Sequence, residues 1–457
     1  MVRTNLRRTF VAIICSSLLA SAQSPAPTPQ SLTLPEAVHM ALEKNPTVQA
    51  AVAYAQAVHE GIAEAKAARL PRVDFSEGFT RGNNPVYVFG GLLTERQFTA
   101  GDFGLNFLNT PPPLDVFRTQ FTAALPLYDA GQTGRRIKDA KLSAQGAGEN
   151  GQRTRQEVIF NVVKAYSDEL LARENARVAE AGVKSAQSDL HRAQSRQDEG
   201  QAVPSDLLSA QVQLAQAQED LLQAQNAVDL AHAALNVAMG LPEDSTTTIE
   251  SGLKESNFEA GAMAERQQLA LKSRPDLREA DLGVERAANG QRMARAEFLP
   301  KVNVFSSWEE DNQTFLTRGG NNWTAGVSLN INVFEGGANR ARLAAAHYRQ
   351  SQAKAQAEQM AAAVKLQVRE AYLNLTTAQQ RVEVLRQAQS EAEESLRIIQ
   401  NRYEAGLATI TDLLQVETAH TRAQKNYLNA LFDYRLSYVA LELATGELAP
   451  DSPAVTQ

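Results

Sequence analysis

Two aspartates have the placement to do electrostatic work. Asp206 and Asp412 each stand six residues after a glycine, Gly200 and Gly406, and each precedes a leucine pair, Leu207-Leu208 and Leu413-Leu414. An arginine, Arg196 or Arg402, stands four residues before each glycine. A carboxylate in the first turn of a helix stabilises the free amides there by about 0.5–2 kcal/mol. The same carboxylates gathered in a ring would attract cations toward an opening. Both readings stand at this level. An arginine just before the glycine suits the last turn of a helix, whose carbonyl end favours a cation. Covalent chemistry finds no comparable foothold. The six histidines, at 39, 59, 191, 232, 347 and 420, lack ligand spacing such as H-E-x-x-H. Phosphate-loop, G-x-S-x-G and G-x-G-x-x-G patterns are missing from the sequence, so an enzyme, a metal site and a cofactor site are not expected.

The two acid turns are one turn repeated. They match at an offset of 206 positions, and the match extends to Gly240 and Gly446. Each copy reads as a helical hairpin. In the first, a helix from about Arg135 to Glu199 would be about 100 Å long. It carries apolar or small residues at 172, 176, 179, 183, 186, 190 and 193, the four-three spacing of a coiled-coil seam. Beyond the Gly200–Pro204 turn, Leu207, Ala210, Leu214, Ala217, Leu221 and Ala224 alternate large and small, which lets facing helices interdigitate. A weaker stripe, Leu208, Val212, Ala215 and Leu222, predicts neighbours on two sides, as in a helical tube. The second copy repeats this with a helix from about Arg340 to Arg402, a seam at 378, 382, 385, 392, 396 and 399, and a closing helix from Thr411 to Ala444.

Ahead of each hairpin the apolar period drops from helical to two-fold, which predicts strands. These lie at about 72–80 and 116–128 in the first copy, and at about 301–308 and 323–334 in the second. Between the first two, Arg81 to Leu114 holds five glycines and Pro111-Pro112-Pro113 and reads as a loop. Before the strands the copies are offset by 229, with Pro46 matching Pro275 and Leu70-Pro71 matching Leu299-Pro300. The first copy's loop is therefore 23 residues longer. The ascending helices are about half as long as the descending ones. Asp276 to Glu297 is expected to complete the first ascent, and Thr47 to Arg69 the second. The chain divides into a signal segment at 1–22, a first repeat at 23–240 with its tip at about 196–206, and an irregular equatorial segment at 241–273. A second repeat follows at 274–446 with its tip at about 402–412, then a tail at 447–457.

Arg3, Arg7 and Arg8, the apolar run Phe10 to Ala20, and Ala20-Ser21-Ala22 predict a cleaved secretory signal. Cys15, the one cysteine, lies within it without the small residue that lipid attachment favours, so the mature chain is expected to have no thiol or disulfide chemistry. Removing the three arginines takes the formal charge from −7 to −10, which argues against a nucleic-acid partner. No mature segment is apolar enough for a spanning helix, so any membrane crossing must use strands in a closed barrel. Four strands cannot close a barrel, which needs at least about 8. Three copies would supply twelve. The predicted fold is thus mainly α with a small β part: duplicated long coiled-coil hairpins forming an α-barrel, and four strands per chain contributing to a transmembrane β-barrel completed by other subunits, 12-stranded if three copies assemble.

The motifs LPLYDAG and INVFEGG at the strand-to-helix switches, the RxxxGxxxxxDLL turns, and the LxxAMG and LELATG helix ends match a known family. Over essentially its whole mature length the chain resembles the TolC-like outer membrane efflux proteins. The resemblance implies a homotrimer in outer membrane lipid, with a helical barrel crossing the periplasm. It implies a passive exit duct for efflux or type I secretion, working with a periplasmic adaptor (membrane fusion protein) and an inner-membrane pump. The other reading is a periplasmic coiled-coil adaptor or structural protein, which two hairpins and four alternating strands disfavour. By the same resemblance, Asp206, Tyr403, Asp412 and Gln415 form the periplasmic gate and constriction, with the acid at 206 bonding the tyrosine at 403. Arg196, Gly200, Pro204, Arg402, Gly406 and Ala408 shape the tips where the adaptor docks. Ala408 stands where the family carries an arginine latch. The strand aromatics Phe75, Phe79, Trp308 and Trp323 are expected to face lipid or its interface.

Overall fold

The computed structural model describes residues 31–250, 252, 257–315, 317 and 319–456. The signal segment with Cys15 and the leader up to Gln30 lie outside the described residues. Two long hairpins dominate. Helix α1 (Leu34–Lys44) and α2 (Pro46–Ala67) precede strand β1 (Arg72–Gly82). Short helices α3 (Pro85–Thr94) and α4 (Leu105–Asn109) lead to β2 (Leu114–Tyr128). The first hairpin is α5 (Gln132–Asp198) and α6 (Pro204–Ala238). After α7 (Met263–Ser273) and α8 (Pro275–Ala296) come β3 (Lys301–Asn312) and β4 (Gly320–Asn330). The second hairpin is α9 (Ala338–Glu404) and α10 (Ile410–Thr445), and α11 (Pro453–Thr456) ends the described chain. At 67 residues each, α5 and α9 extend for about 100 Å.

Three expectations fail. The stretch from Arg81 to Leu114 is not a plain loop, because Asn84 caps α3 by accepting from the Val86 and Tyr87 amides, with Pro85 in the first turn. Val88 and Leu92 of that helix bury themselves against Leu114 and Val116. Within the supposedly irregular 241–273 segment, α7 forms because Ala270 and Leu271 enter the central core. Third, the half-columns join the other way round. Helix α6 ends against the start of α2, where Asn45 Nδ2 donates to Ala238 O at 2.8 Å. Helix α10 ends against the start of α8, where Ser273 Oγ donates to Thr445 O at 2.8 Å and Arg274 Nη1 to Ala444 O at 3.2 Å. Each copy therefore closes on its own beginning. Gly240 (φ +78°) and Gly446 (φ +78°) make this possible, since a Cβ there would lie 2.7 Å from the Asn45 backbone and 3.1 Å from Arg274 Cα. Periodicity shows that two helices fit one column but not which ends meet.

The core gathers at this equator. Leu34, Val38, Val162, Leu235, Leu375, Leu441 and Val455 share one buried cluster drawn from both hairpins and both chain ends. The expected tail at 447–457 enters it through Ala454 and Val455. Tyr166 Oη donates to Leu32 O at 3.0 Å, and Phe258 stacks on Tyr438 with centroids 4.1 Å apart.

The four strands form one antiparallel sheet in the order β1-β2-β3-β4, leaving β1 and β4 as open edges. Strand β3 runs past Trp308 to Asn312, and β4 stops at Asn330. The reason for the stop is local: Asn330 pairs with Lys301, so the next partner would be Pro300, which has no N–H to give. The register lines up Phe75, Phe121, Trp308 and Trp323 in one row across the whole sheet. Below it on the same face lie Val327 and Leu329, each 67 % exposed; above it lie Glu77, Thr119, Glu310 and Asn321. An aromatic row between an apolar band and a polar rim is the pattern of a lipid-facing barrel wall at its interface. The opposite face is polar, with Arg118 bound to the buried Asp311 at 2.7 Å. Among the described residues no helix is long and apolar enough to cross a membrane.

Candidate functional site

Both hairpin tips are built the same way. Gly200 N–H donates to Gln197 O at 2.9 Å and Gln201 N–H to Arg196 O at 2.8 Å; Gly406 and Leu407 donate likewise to Tyr403 O and Arg402 O at 3.0 and 2.8 Å. These paired bonds satisfy the last carbonyls of α5 and α9, and they need the left-handed backbone that Gly200 (φ +71°) and Gly406 (φ +75°) supply. Pro204 then opens α6 at a position where its missing N–H costs nothing.

Between the tips the copies part company. Arg196 leaves its own hairpin and reaches the second one. Its guanidinium lies 4.2 Å from the centroid of the Tyr403 ring and donates to Tyr403 O and, at 3.2 Å, to Glu404 O. The cation thus serves the carbonyl end of α9, not of α5. Arg402 stays at home, donating to Leu407 O at 3.4 Å. Tyr403 is buried with Ile410 and Leu413, and Ala408 packs against them where the resemblance would place an arginine. The Asp206–Tyr403 hydrogen bond implied by the resemblance is not among the bonds of the described residues. Burial, above all, pushes the Tyr403 hydroxyl up; Asp189 and, more weakly, Asp206 add to this, while Arg196 and Arg192 oppose it.

Asp412 has a different occupation. Thr409 and Asp412 form a capping box, with the Thr409 amide at 3.0 Å and its hydroxyl at 2.7 Å from Asp412 Oδ2. These bonds, helped by Arg402, hold the carboxyl below its usual range. Gln415 follows three residues later on the same helix and is exposed, as is Asp412. Asp206 is the matching residue of α6, but the N-cap there is Val203, which offers no side-chain acceptor. All ten sequence-predicted residues therefore lie at one end of the molecule. The structure brings Arg196 and Tyr403 into contact and leaves Asp206 and Asp412 in unlike surroundings.

Sequence reasoning missed a second layer just below the tips. Asp189 of α5, fully buried, pairs with Arg192, and Arg192 also lies 3.9 Å from Glu404. Glu417 of α10 accepts from Ser185 Oγ at 2.7 Å across the seam between the hairpins. Burial, with the facing Asp189 carboxylate, raises Glu417 to about 7. The available signal was the duplication: at the 206 offset, Glu417 stands where the first copy has Gln211, and Asp189 where the second has Ser395.

The family described as outer membrane efflux protein matches residues 37–241 and 267–447. The chain belongs to the outer membrane efflux protein family. Its members span the outer membrane, and this efflux protein shares that location. It is 24% identical over 428 residues to the alkaline protease secretion protein AprF of Pseudomonas aeruginosa, covering 92% of this chain and 85% of that one. It is 23% identical over 425 residues to the outer membrane efflux protein BepC of Brucella suis, covering 92% and 87%. Among solved structures, the CmeC outer membrane channel of Campylobacter jejuni superposes with a TM-score of 0.77 at 16% identity, covering 98% of this chain and 96% of that one. The efflux protein's two matched segments correspond to its two repeats, and the gap between them falls in the equatorial connection.

Proposed function

We propose that three copies of this efflux protein close a twelve-stranded barrel and a helical tunnel, forming the passive exit duct of a tripartite efflux or type I secretion assembly. The observation that carries this reading is the sheet. One chain offers four strands with a lipid-type face and two unpaired edges, β1 and β4. An unpaired backbone group in lipid costs several kcal/mol, so the edges call for neighbours of the same kind. The exposed stripe Leu208, Val212 and Leu222 on α6, at 60 %, 70 % and 67 % exposure, supports the same conclusion from the helical end.

Around a three-fold axis the tips meet as three unlike pairs. Asp206 and Asp412 then supply six carboxylates at the inner mouth, with Tyr403, Gln415 and Arg196 setting its width. The tip turns at Gly200, Pro204, Arg402, Gly406 and Ala408 are the surface offered to a periplasmic adaptor, and through it to an inner-membrane pump. A soluble hairpin adaptor would have no use for the aromatic row on the sheet.

Planar-bilayer recordings of the purified trimer test the gate. Asp206→Asn and Asp412→Asn together are expected to lower cation selectivity and weaken block by multivalent cations. Unchanged selectivity and block would remove the aspartates from the mouth. A mature protein recovered soluble and monomeric after membrane fractionation would end the duct reading itself.

A further inference from the structure

We propose that the helical insertion between β1 and β2 is a second constriction, an outer cap in which three subunits meet across the extracellular mouth of the barrel. The inference rests on the three-subunit reading above. Its basis is the face on which the insertion lies. Leu114 and Val116, which bury Val88 and Leu92 of α3, alternate along β2 with Phe117 and thus belong to the polar face, opposite the aromatic row. At the other edge of the sheet, Asn322 Nδ2 donates to Thr94 O at 3.2 Å, and a Cβ at Gly320 would collide with that same carbonyl. Gly320 and Asn322 alternate with Trp323, so they too lie on the polar face. Arg96 donates to Asn321 O at 2.7 Å, and Gln313 donates to Glu95 at 3.1 Å. Helix α3 therefore starts at the first two strands, crosses the inner face and is fastened to β4. It is not a loop waving outside the barrel.

The sizes make this consequential. Twelve strands spaced by about 4.8 Å and tilted by about 40° enclose a backbone diameter of about 24 Å. A helix with its side chains is about 10 Å across. Three helices of that width, mutually touching, fill a circle of about 21 Å by the same dimensions. Three caps against one inner wall leave little open bore. The apolar surface left exposed on the insertion suits such a meeting: Val86, Phe103 and Leu105 are 81 %, 65 % and 78 % exposed, the Phe103 ring meeting Phe98 by its edge and Phe98 meeting Phe89 in turn. The occupant of that apolar surface is the same insertion of the other two subunits. The second copy has no counterpart, since its β3–β4 connection is 23 residues shorter. The outer mouth is thus three-fold by construction even where the tunnel is nearly six-fold.

The test uses the full chain in detergent and in bilayers. Val86→Cys, Phe103→Cys and Leu105→Cys are made singly, in a chain whose one native cysteine is Cys15, and treated with a short bis-maleimide. Covalent dimers are expected for at least one of them, and none for Trp323→Cys on the lipid face. In parallel, residues 86–109 are replaced by a short glycine-serine turn, with Arg196→Ala widening the inner end so that it does not limit the current. Single-channel conductance is expected to rise at least two-fold over that of Arg196→Ala with the insertion intact. No cross-link at any cap position, or cross-links without a rise in conductance, would overturn the proposal. The trimer band on unheated gels reports the three-subunit reading separately, and the cross-linking of the uncut chain still decides the cap if the shortened variant fails to assemble.

Discussion

The two hairpin tips share a turn and differ in how they support it. The second is self-contained. Its α10 is capped by Thr409, and Tyr403, Ile410 and Leu413 form a small core of their own. The first lacks both: its N-cap is Val203, its Leu207 is only half-buried, and its arginine is spent on the neighbour. Duplication supplied two equal tips, and divergence made one of them the support and the other the supported. At a gate formed by these tips, Arg196 would couple the first hairpin to the tip of the second, in addition to the Ser185–Glu417 contact deeper in the seam.

The largest expected difference lies in the packing. Leu413 is fully buried, so Leu413→Ala is expected to cost about 2–5 kcal/mol. Its counterpart Leu207→Ala should cost less than half as much. Hydrogen exchange of the tip amides would read this as at least a tenfold acceleration around 402–412 for the first variant and little change around 196–206 for the second. Equal acceleration in both tips would abolish the distinction.

Next comes the bridge. Removing Arg196 takes away hydrogen bonds from a charged donor, each of about 1.5–3 kcal/mol, and a ring contact of about 0.5–2 kcal/mol. Arg196→Ala is expected to raise baseline conductance, whereas Arg402→Ala, which unties only its own turn, leaves it near the parent value. Arg196→Lys should rescue poorly, since an ammonium cannot reproduce the planar fork. If Arg402→Ala opened the channel as far as Arg196→Ala, the direction of support would be wrong.

Much of this molecule is written in its periodicity. The four strands, both hairpins, the two tips and the need for partner subunits follow from alternation, four-three spacing and an exact sequence offset. What stayed hidden has a common cause. Periodicity describes one element at a time, so it could not tell that α2 continues α6, that α3 crosses the polar face of the sheet, or that Arg196 prefers the other hairpin's carbonyls to its own. The capped helix inside the glycine-rich insertion was legible in Asn84-Pro85, but the glycines outweighed it. Gly91 is needed there because a Cβ would sit 2.5 Å from Leu114. The buried acids Asp189 and Glu417 were legible only as departures from the repeat.

That pair gives the third difference, one of pH. The seam between α5 and α10 carries two facing carboxylates, Asp189 and Glu417, with Ser185 and Arg192 on α5 and Glu404 on α9 around them. Glu417 is raised to about 7 in the folded protein, above the ordinary carboxyl value. The folded state therefore holds its proton where the unfolded chain has lost it. The resulting stabilisation is complete below the ordinary value and is lost as pH rises through about 7. Proteolysis or exchange at the seam should accelerate from pH 5 to pH 8 in the parent and stay flat in Glu417→Gln, which makes the position resemble Gln211 of the other copy. A parent protein without that rise would show the pair to be electrically silent.

The smallest effect concerns the caps, and it can be run in both directions. Thr409→Ala removes the hydroxyl that accepts from the Asp412 amide at 3.2 Å and breaks the capping box. A lost N-cap of this kind costs about 0.5–2 kcal/mol. The first tip already has an acid at the equivalent third position, Asp206, but Val203 cannot answer it. Val203→Thr would complete the same box and is expected to slow exchange in the first turn of α6 by a few-fold. It would also engage the Asp206 carboxylate with the end of its own helix, as Asp412 is engaged in the second tip. A capped first tip should then approach the second in local protection while the contact of Arg196 with Tyr403 stays in place. Unchanged protection would show that position 203 does not limit the first turn of α6, and the two tips would then differ in packing but not in capping.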